Sequence, residues 1–166
     1  MMIALRNTLR HAALYAIAAA TTAHALSAHA GDHAYRVDNP GYRQECGSCH
    51  VAYPPQLLSA ASWRAVMGGL DKHFGTDASL EPAARDGILA FLEKNSGRRD
   101  TKANGKPLLR ITETKWFARE HRKEIAAGTA TRPDVKSIAN CGACHRQAEK
   151  FDYAESSLQV PGGRSR

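Results

Sequence analysis

The four cysteines of the chain fall into two Cys-x-x-Cys segments 95 residues apart, and a histidine directly follows each segment. On a helical turn, positions i, i+3 and i+4 lie on one face, so two thiols can bond one edge of a porphyrin while the imidazole reaches the iron. This spacing is the attachment signature of c-type haem. The sequence therefore predicts two covalently bound haem c groups, held by Cys46, Cys49 and His50 and by Cys141, Cys144 and His145.

Three other interpretations explain less of this pattern. Four thiolates could bind one zinc ion, and an even number of cysteines in an exported chain could form disulfides, but neither use requires the two histidines. A thioredoxin-like redox pair would need a strand followed by a helix, and no convincing alternating β pattern surrounds either segment. One such motif could occur by chance, whereas two strongly favour haem.

The sixth coordination position of each iron decides between an electron carrier and a haem protein that binds ligands or catalyses a reaction. After the first thirty residues, the histidines outside the two motifs are His33, His73 and His121. We expect His73 to be the distal ligand of the first haem and His121 that of the second, since both are predicted on amphipathic helices beside aromatic residues. A crossed pairing stays open, as does ligation by Met67 or by His33.

Residues 1–30 have the pattern of a secretory signal peptide. Arg6 and Arg10 precede an apolar stretch, and residues 28–30 form an Ala-x-Ala cleavage site. We therefore expect an exported mature chain of 136 residues without stable membrane insertion. The predicted organisation is a signal peptide (1–30), an N-terminal haem domain (31–96), a linker (97–107) and a C-terminal haem domain (108–166).

The basic character of the chain does not indicate nucleic-acid binding. The formal net charge of +7 falls to +5 without Arg6 and Arg10, and the propionates of two haems would largely cancel the remainder. Basic residues alternate with acidic ones, as in residues 119–124, which is typical of solvated helix faces rather than of a nucleic-acid surface.

The fold is predicted to be mainly α, with two small haem-binding units. Residues 31–44 are rich in turn formers and are expected to form an extended arm. Apolar residues at helical spacing predict four helices: residues 62–74, residues 82–94 with Pro82 in the first turn, a helix from Thr112 or Thr114 through Ile125, and a helix from about Asp134 that carries the second haem motif.

Three segments around these motifs resemble the bacterial dihaem cytochrome c family, whose best-known member donates electrons to the oxygen-binding sphaeroides haem protein. They are residues 46–58 (CGSCHVAYPPQLL), residues 62–75 (SWRAVMGGLDKHFG) and residues 110–121 (RITETKWFAREH). The resemblance extends from about Tyr35 to Phe151.

The resemblance implies a periplasmic protein whose N-terminal unit is like a class I cytochrome c and whose two haems both have bis-histidine ligation. It also implies an oxygen-binding haem protein as the electron acceptor and a membrane cytochrome b as a candidate donor. We therefore expect a low-potential one-electron carrier rather than an enzyme. A small peroxidase or reductase, or a gas-binding cytochrome, would need an open iron, and the spare histidines suffice to close both sites.

Overall fold

The computed structural model describes residues 34–122 and 125–162. Both the predicted signal peptide and His33 lie outside this part of the chain. The described residues contain four α-helices and one short hairpin, β1 (Lys102–Ala103) paired antiparallel with β2 (Lys106–Pro107). The helices are α1 (Pro40–Gly47), α2 (Ala60–Met67), α3 (Pro82–Asn95) and α4 (Lys115–His121). The prediction of a mainly α fold is thus confirmed.

Short 3-10 segments lie between these helices and recur along the chain after α4. In the described residues they are Pro55–Leu57, Leu70–Lys72, Ile111–Glu113, Thr129–Thr131, Cys141–Ala143, Ala148–Lys150 and Glu155–Ser157. No helix in this part of the chain is long and apolar enough to cross a membrane.

Helix α1 begins inside the segment that was expected to be an extended arm. The side chain of Asn39 accepts a hydrogen bond from the Tyr42 amide (2.8 Å), and Pro40 occupies the first helical position. An Asn cap followed by proline favours the start of a helix, so this pair was wrongly interpreted as a turn. Of the described residues in that segment, 34–39 precede the helix, and there the Tyr35 amide donates to the Phe151 carbonyl (2.9 Å).

The helix predicted over residues 62–74 is shorter than expected. It starts at Ala60, capped by Ser59, and ends at Met67 because Gly68 and Gly69 follow. Glycine weakens helix propagation through its backbone entropy. The chain then makes a 3-10 turn, so His73 closes that turn instead of lying on a helix.

Helix α3 confirms the prediction for residues 82–94, with Pro82 as its first residue. Helix α4 begins as expected, because the hydroxyl oxygen of Thr114 accepts a hydrogen bond from the Phe117 amide (3.1 Å). It ends at His121, before the predicted end at Ile125.

The helix expected from about Asp134 is absent from the described residues. A sequence of turns leads instead to the 3-10 segment Cys141–Ala143. Lys136 has a positive φ of 64°, and the side-chain amide of Asn140 donates to the Val135 carbonyl (3.0 Å). Such side-chain bonds to the backbone compete with helix formation, which explains why the prediction was wrong.

The hydrophobic core lies where α1, α2 and α3 meet. Leu92 and Leu58 are almost fully buried, at 0% and 1% exposure. The cluster consists of Val37, Tyr42, Ala52, Leu58, Trp63, Met67, Ile88, Leu92 and Phe151. Val37 and Phe151 join the two ends of the described chain to this cluster, and the described residues belong to one compact unit. The division at residues 97–107, where β1 and β2 lie, stays a prediction.

Candidate functional site

The first motif begins inside α1 and continues beyond its end. Cys46 lies near the end of this helix and is half-buried, whereas Cys49 and His50 lie just beyond it and are exposed. The Nδ1 atom of His50 is 2.8 Å from the Val51 carbonyl oxygen. Since a carbonyl oxygen only accepts, Nδ1 carries the proton and Nε2 is left as the basic nitrogen, the form that binds a metal.

His73 lies beside His50. The two ring centroids are 6.3 Å apart, and the rings are inclined by only 18°. The residues after His73 form a tight turn, in which Phe74 has a φ of 51° and Gly75 a φ of 99°. Met67, the competing ligand candidate, is 4% exposed and belongs to the hydrophobic core.

The second motif is held in a 3-10 turn. The His145 amide donates to the Cys141 carbonyl (2.8 Å), and the Gln159 amide donates to the Cys144 carbonyl (2.8 Å). His145 also forms an isolated antiparallel bridge with Leu158. The turn is therefore fixed both by its own backbone and by the segment that follows it.

His121, the last residue of α4, lies beside His145, with ring centroids 6.2 Å apart and an interplanar angle of 75°. Its ring stacks on Phe117 at a centroid distance of 3.9 Å. Its Nδ1 atom donates to the Phe117 carbonyl (3.0 Å), which again leaves Nε2 as the basic nitrogen. One residue on the same helix therefore supports the ring and selects its tautomer.

Both separations fit two imidazoles that share one iron. With a metal–nitrogen bond of about 2.0–2.1 Å, as for zinc, and a ring centre about 1.1 Å further on, the centroids of two opposed imidazoles would be about 6.2–6.4 Å apart. The observed centroid distances are 6.3 and 6.2 Å. The residues present at both motifs therefore suit c-type haem.

The family comparison agrees with this arrangement. A family profile described as "Dihaem cytochrome c" matches residues 42–153, which include both motifs, His73 and His121. The chain belongs to the dihaem cytochrome c family. The resemblance inferred from the sequence is thereby confirmed.

Solved structures of dihaem cytochromes are similar to this chain. A dihaem cytochrome c from Rhodobacter sphaeroides is 40% identical, with a TM-score of 0.63, and the match covers 70% of this chain and 98% of that one. A second structure from the same organism is 42% identical, with a TM-score of 0.62 and the same coverage. The dihaem cytochrome c of Shewanella baltica is 37% identical, with a TM-score of 0.64, over 76% of this chain and 96% of its own. No curated protein matches the chain significantly.

This dihaem cytochrome carries two covalently attached haem c groups, as predicted, and transfers electrons. No disulfide joins any of the four cysteines, and the described residues contain no group of three or more His, Cys, Asp or Glu side chains that could hold a metal ion. The zinc and disulfide interpretations therefore find no support in the geometry.

Burial lowers the pKa of three of the candidate ligands, which favours their neutral form. It lowers the pKa of His73, with smaller contributions from His50 and Arg110, and it lowers the pKa of His121. The pKa of His145 falls to about 4, through burial first and the neighbouring His121 second. Neutral imidazole is the form that ligates iron.

Before haem is attached, burial also favours the protonated form of two of the thiols. It raises the pKa of Cys46 to about 11, with a smaller contribution from Glu45, and it raises the pKa of Cys141 to about 11. Both are the first cysteine of their motif, so the two motifs provide similar surroundings at this position.

Two tyrosines beside the motifs were missed by sequence reasoning. The ring of Tyr53 stacks on His50 at 4.9 Å, and the ring of Tyr153 lies 5.1 Å from His145. The Tyr153 hydroxyl and the Nδ1 atom of His145 are both buried without a hydrogen-bond partner. A tyrosine three residues after a haem motif was a possible signal for the first contact, but nothing local indicates the second.

Proposed function

We propose that this cytochrome is a periplasmic, low-potential one-electron carrier with bis-histidine ligation of both irons. His50 and His73 would hold the first iron, and His145 and His121 the second. The observation that carries the proposal is the pair of imidazole separations, 6.3 and 6.2 Å, which both fit one iron between two rings. When bound, each haem supplies a reversible Fe(II)/Fe(III) couple.

The hydrogen bonds of the ligand candidates support their assignment. The Nδ1 protons of His50 and His121 are held by the carbonyls of Val51 and Phe117, at 2.8 and 3.0 Å. Metal-ligating histidines commonly donate their second ring nitrogen in this way, which fixes the tautomer and the ring orientation. The His50 and His121 imidazoles would thus already be oriented before haem is bound.

The surroundings of the imidazoles favour an electron carrier over a catalyst. Two nitrogen ligands leave no position on the iron for a substrate, and they give a lower potential than a methionine and histidine pair. Met67 stays in the core, at 4% exposure. His145 is half-buried, and its low pKa keeps it unprotonated at neutral pH.

The location and the partners are inferred from the sequence and the family. The signal-peptide pattern of residues 1–30 favours export to the periplasm. We propose an oxygen-binding haem protein as the acceptor and a membrane cytochrome b as the donor. Immunodetection of the mature chain in the periplasmic fraction, at the size expected after cleavage near Ala30, would test the location, and its retention in the cytoplasm would contradict it.

Carbon monoxide tests the ligation. The protein would be produced in a host with c-type haem maturation, reduced, and measured by visible absorption before and after carbon monoxide is added. We expect a c-type spectrum that carbon monoxide leaves unchanged. A shift of the Soret band in the unmodified protein would mean an open iron and would contradict the proposal.

Single substitutions assign each distal ligand. His73→Ala and His121→Ala should each open one iron of two, so each variant should bind about half the carbon monoxide that the double variant binds. Met67→Leu and His33→Ala are the matched controls, since they remove the competing ligand candidates. If either control opened an iron while a distal histidine variant did not, the assignment would be wrong.

A further inference from the structure

The two haem motifs lie close together. A Cβ atom added to Gly142, in the middle of the second motif, would lie 3.8 Å from Cγ1 of Val51, the residue that follows His50. The segment around the first proximal histidine is therefore a neighbour of the segment that bears the second pair of cysteines.

Tyr53 strengthens this junction by bonding to both sides. Its ring is nearly parallel to the ring of His50, at an angle of 22° and a centroid distance of 4.9 Å. Its hydroxyl donates to the carbonyl oxygen of Ala139 at 2.8 Å, across 86 positions of sequence. Ala139 lies two residues before Cys141, so one side chain contacts the first proximal ligand and the loop that leads into the second motif.

Tyr53 is itself held in place. The hydroxyl of Tyr42 donates to the Tyr53 carbonyl, and Tyr42 is 2% exposed within α1, four residues before Cys46. A phenol hydroxyl is protonated at neutral pH, so Tyr53 continues to donate its hydrogen bond.

We propose that Tyr53 is a positioning residue that fixes the two haem sites relative to each other, by orienting the His50 imidazole and anchoring the loop before Cys141. This inference rests on the proposed ligation of the first iron by His50. The two sites then behave as one rigid unit. Loss of the Tyr53 contacts should therefore alter the second haem, although Tyr53 lies beside the ligand of the first.

The test uses the complete protein with both haems attached. Tyr53→Phe retains the ring stacked on His50 but removes the bond to Ala139. We expect the low-spin electron paramagnetic resonance signal of the second haem, and its midpoint potential, to shift while those of the first haem stay close to the original. Tyr53→Leu, which also removes the stacking, should shift both haems. The His73→Ala and His121→Ala variants identify which signal belongs to which haem.

Hydrogen exchange provides a second measurement. Loss of one hydrogen bond of about 0.5–1.5 kcal/mol should make the amides of residues 143–145 exchange about 2- to 13-fold faster. Ser62→Ala is the matched control, because it removes a buried hydroxyl that donates to the Thr101 carbonyl at 3.1 Å, a long-range bond in which neither haem motif takes part. It should leave the second haem's signal and the exchange of residues 143–145 unchanged.

The possible failures can be distinguished. If Tyr53→Phe left the second haem's signal, its potential and the exchange rates unchanged in a protein that does not bind carbon monoxide, the role of Tyr53 alone would be refuted. An equal response to Ser62→Ala would also refute it, because the effect would then be a general loosening. If the unmodified protein bound carbon monoxide at the first iron, the proposed ligation and this inference would fail together.

Discussion

The close approach of Gly97 to the chain after the first haem motif predicts a large effect for Gly97→Ala. Its amide donates to the Leu58 carbonyl at 2.8 Å, directly after α3. A Cβ atom at this position would lie 2.2 Å from the carbonyl oxygen of Gln56, 3.1 Å from its carbonyl carbon and 3.4 Å from the carbonyl oxygen of Leu58. All three atoms are backbone atoms, so no side-chain rotation can make room.

The magnitude follows from the displacement that the methyl group requires. Moving the Gln56 oxygen from 2.2 Å to an ordinary contact needs a backbone shift of more than about 1 Å, and overpacking of this kind costs about 1–3 kcal/mol. The same shift would weaken the hydrogen bond to Leu58, which is worth about 0.5–1.5 kcal/mol. We therefore expect Gly97→Ala to lower the free energy of unfolding by about 2–4 kcal/mol.

Gly87→Ala is the matched control. Gly87 is exposed within α3, and a Cβ atom there would meet nothing within 4 Å. The same substitution should raise the free energy of unfolding by about 0.8–1.0 kcal/mol through helix propensity. Guanidinium unfolding of both variants with haem attached, followed by far-ultraviolet circular dichroism, measures the two changes. Equal stability of Gly97→Ala and the unmodified protein, or destabilisation by both variants, would refute the steric argument.

Two further predictions concern the core. Trp63 donates its ring N–H to the Pro55 carbonyl at 2.8 Å, so Trp63→Phe should cost about 1–3 kcal/mol in thermal unfolding, because a buried acceptor loses its donor. Leu92 is 0% exposed, and Leu92→Ala should cost about 2–5 kcal/mol in denaturant unfolding, more than the exposed Leu109→Ala.

The chemistry of this cytochrome could be inferred from the sequence because it resides in short, contiguous motifs. Attachment of a c-type haem needs two cysteines and a histidine within five residues, so no knowledge of the fold is required. Local signals also predicted the start of α3 at Pro82 and a threonine cap for α4, for which the candidates were Thr112 and Thr114 and the structure uses Thr114. Proline and threonine act on the backbone within one helical turn, so the start of a helix can be predicted from the sequence alone.

Local patterns failed where two signals competed. The apolar spacing through Phe74 suggested one continuous helix, but Gly68 and Gly69 end α2 at Met67. The Asn39-Pro40 pair resembled a turn, yet it caps α1. The turn before Cys141 depends on the Asn140 side chain, whose bond to Val135 competes with a helix.

Only the tertiary structure decided which residues share a site. By sequence, His73 was one of several candidates for a distal haem ligand. The fold brings its ring centroid to 6.3 Å from that of His50 and places Met67 in the hydrophobic core. The bond between Tyr53 and Ala139 spans 86 residues, and no local pattern encodes it. Haem attachment can be predicted from the sequence because covalent attachment needs only neighbouring residues, whereas the proximity of His73 to His50 and the bond between Tyr53 and Ala139 arise from packing between distant segments.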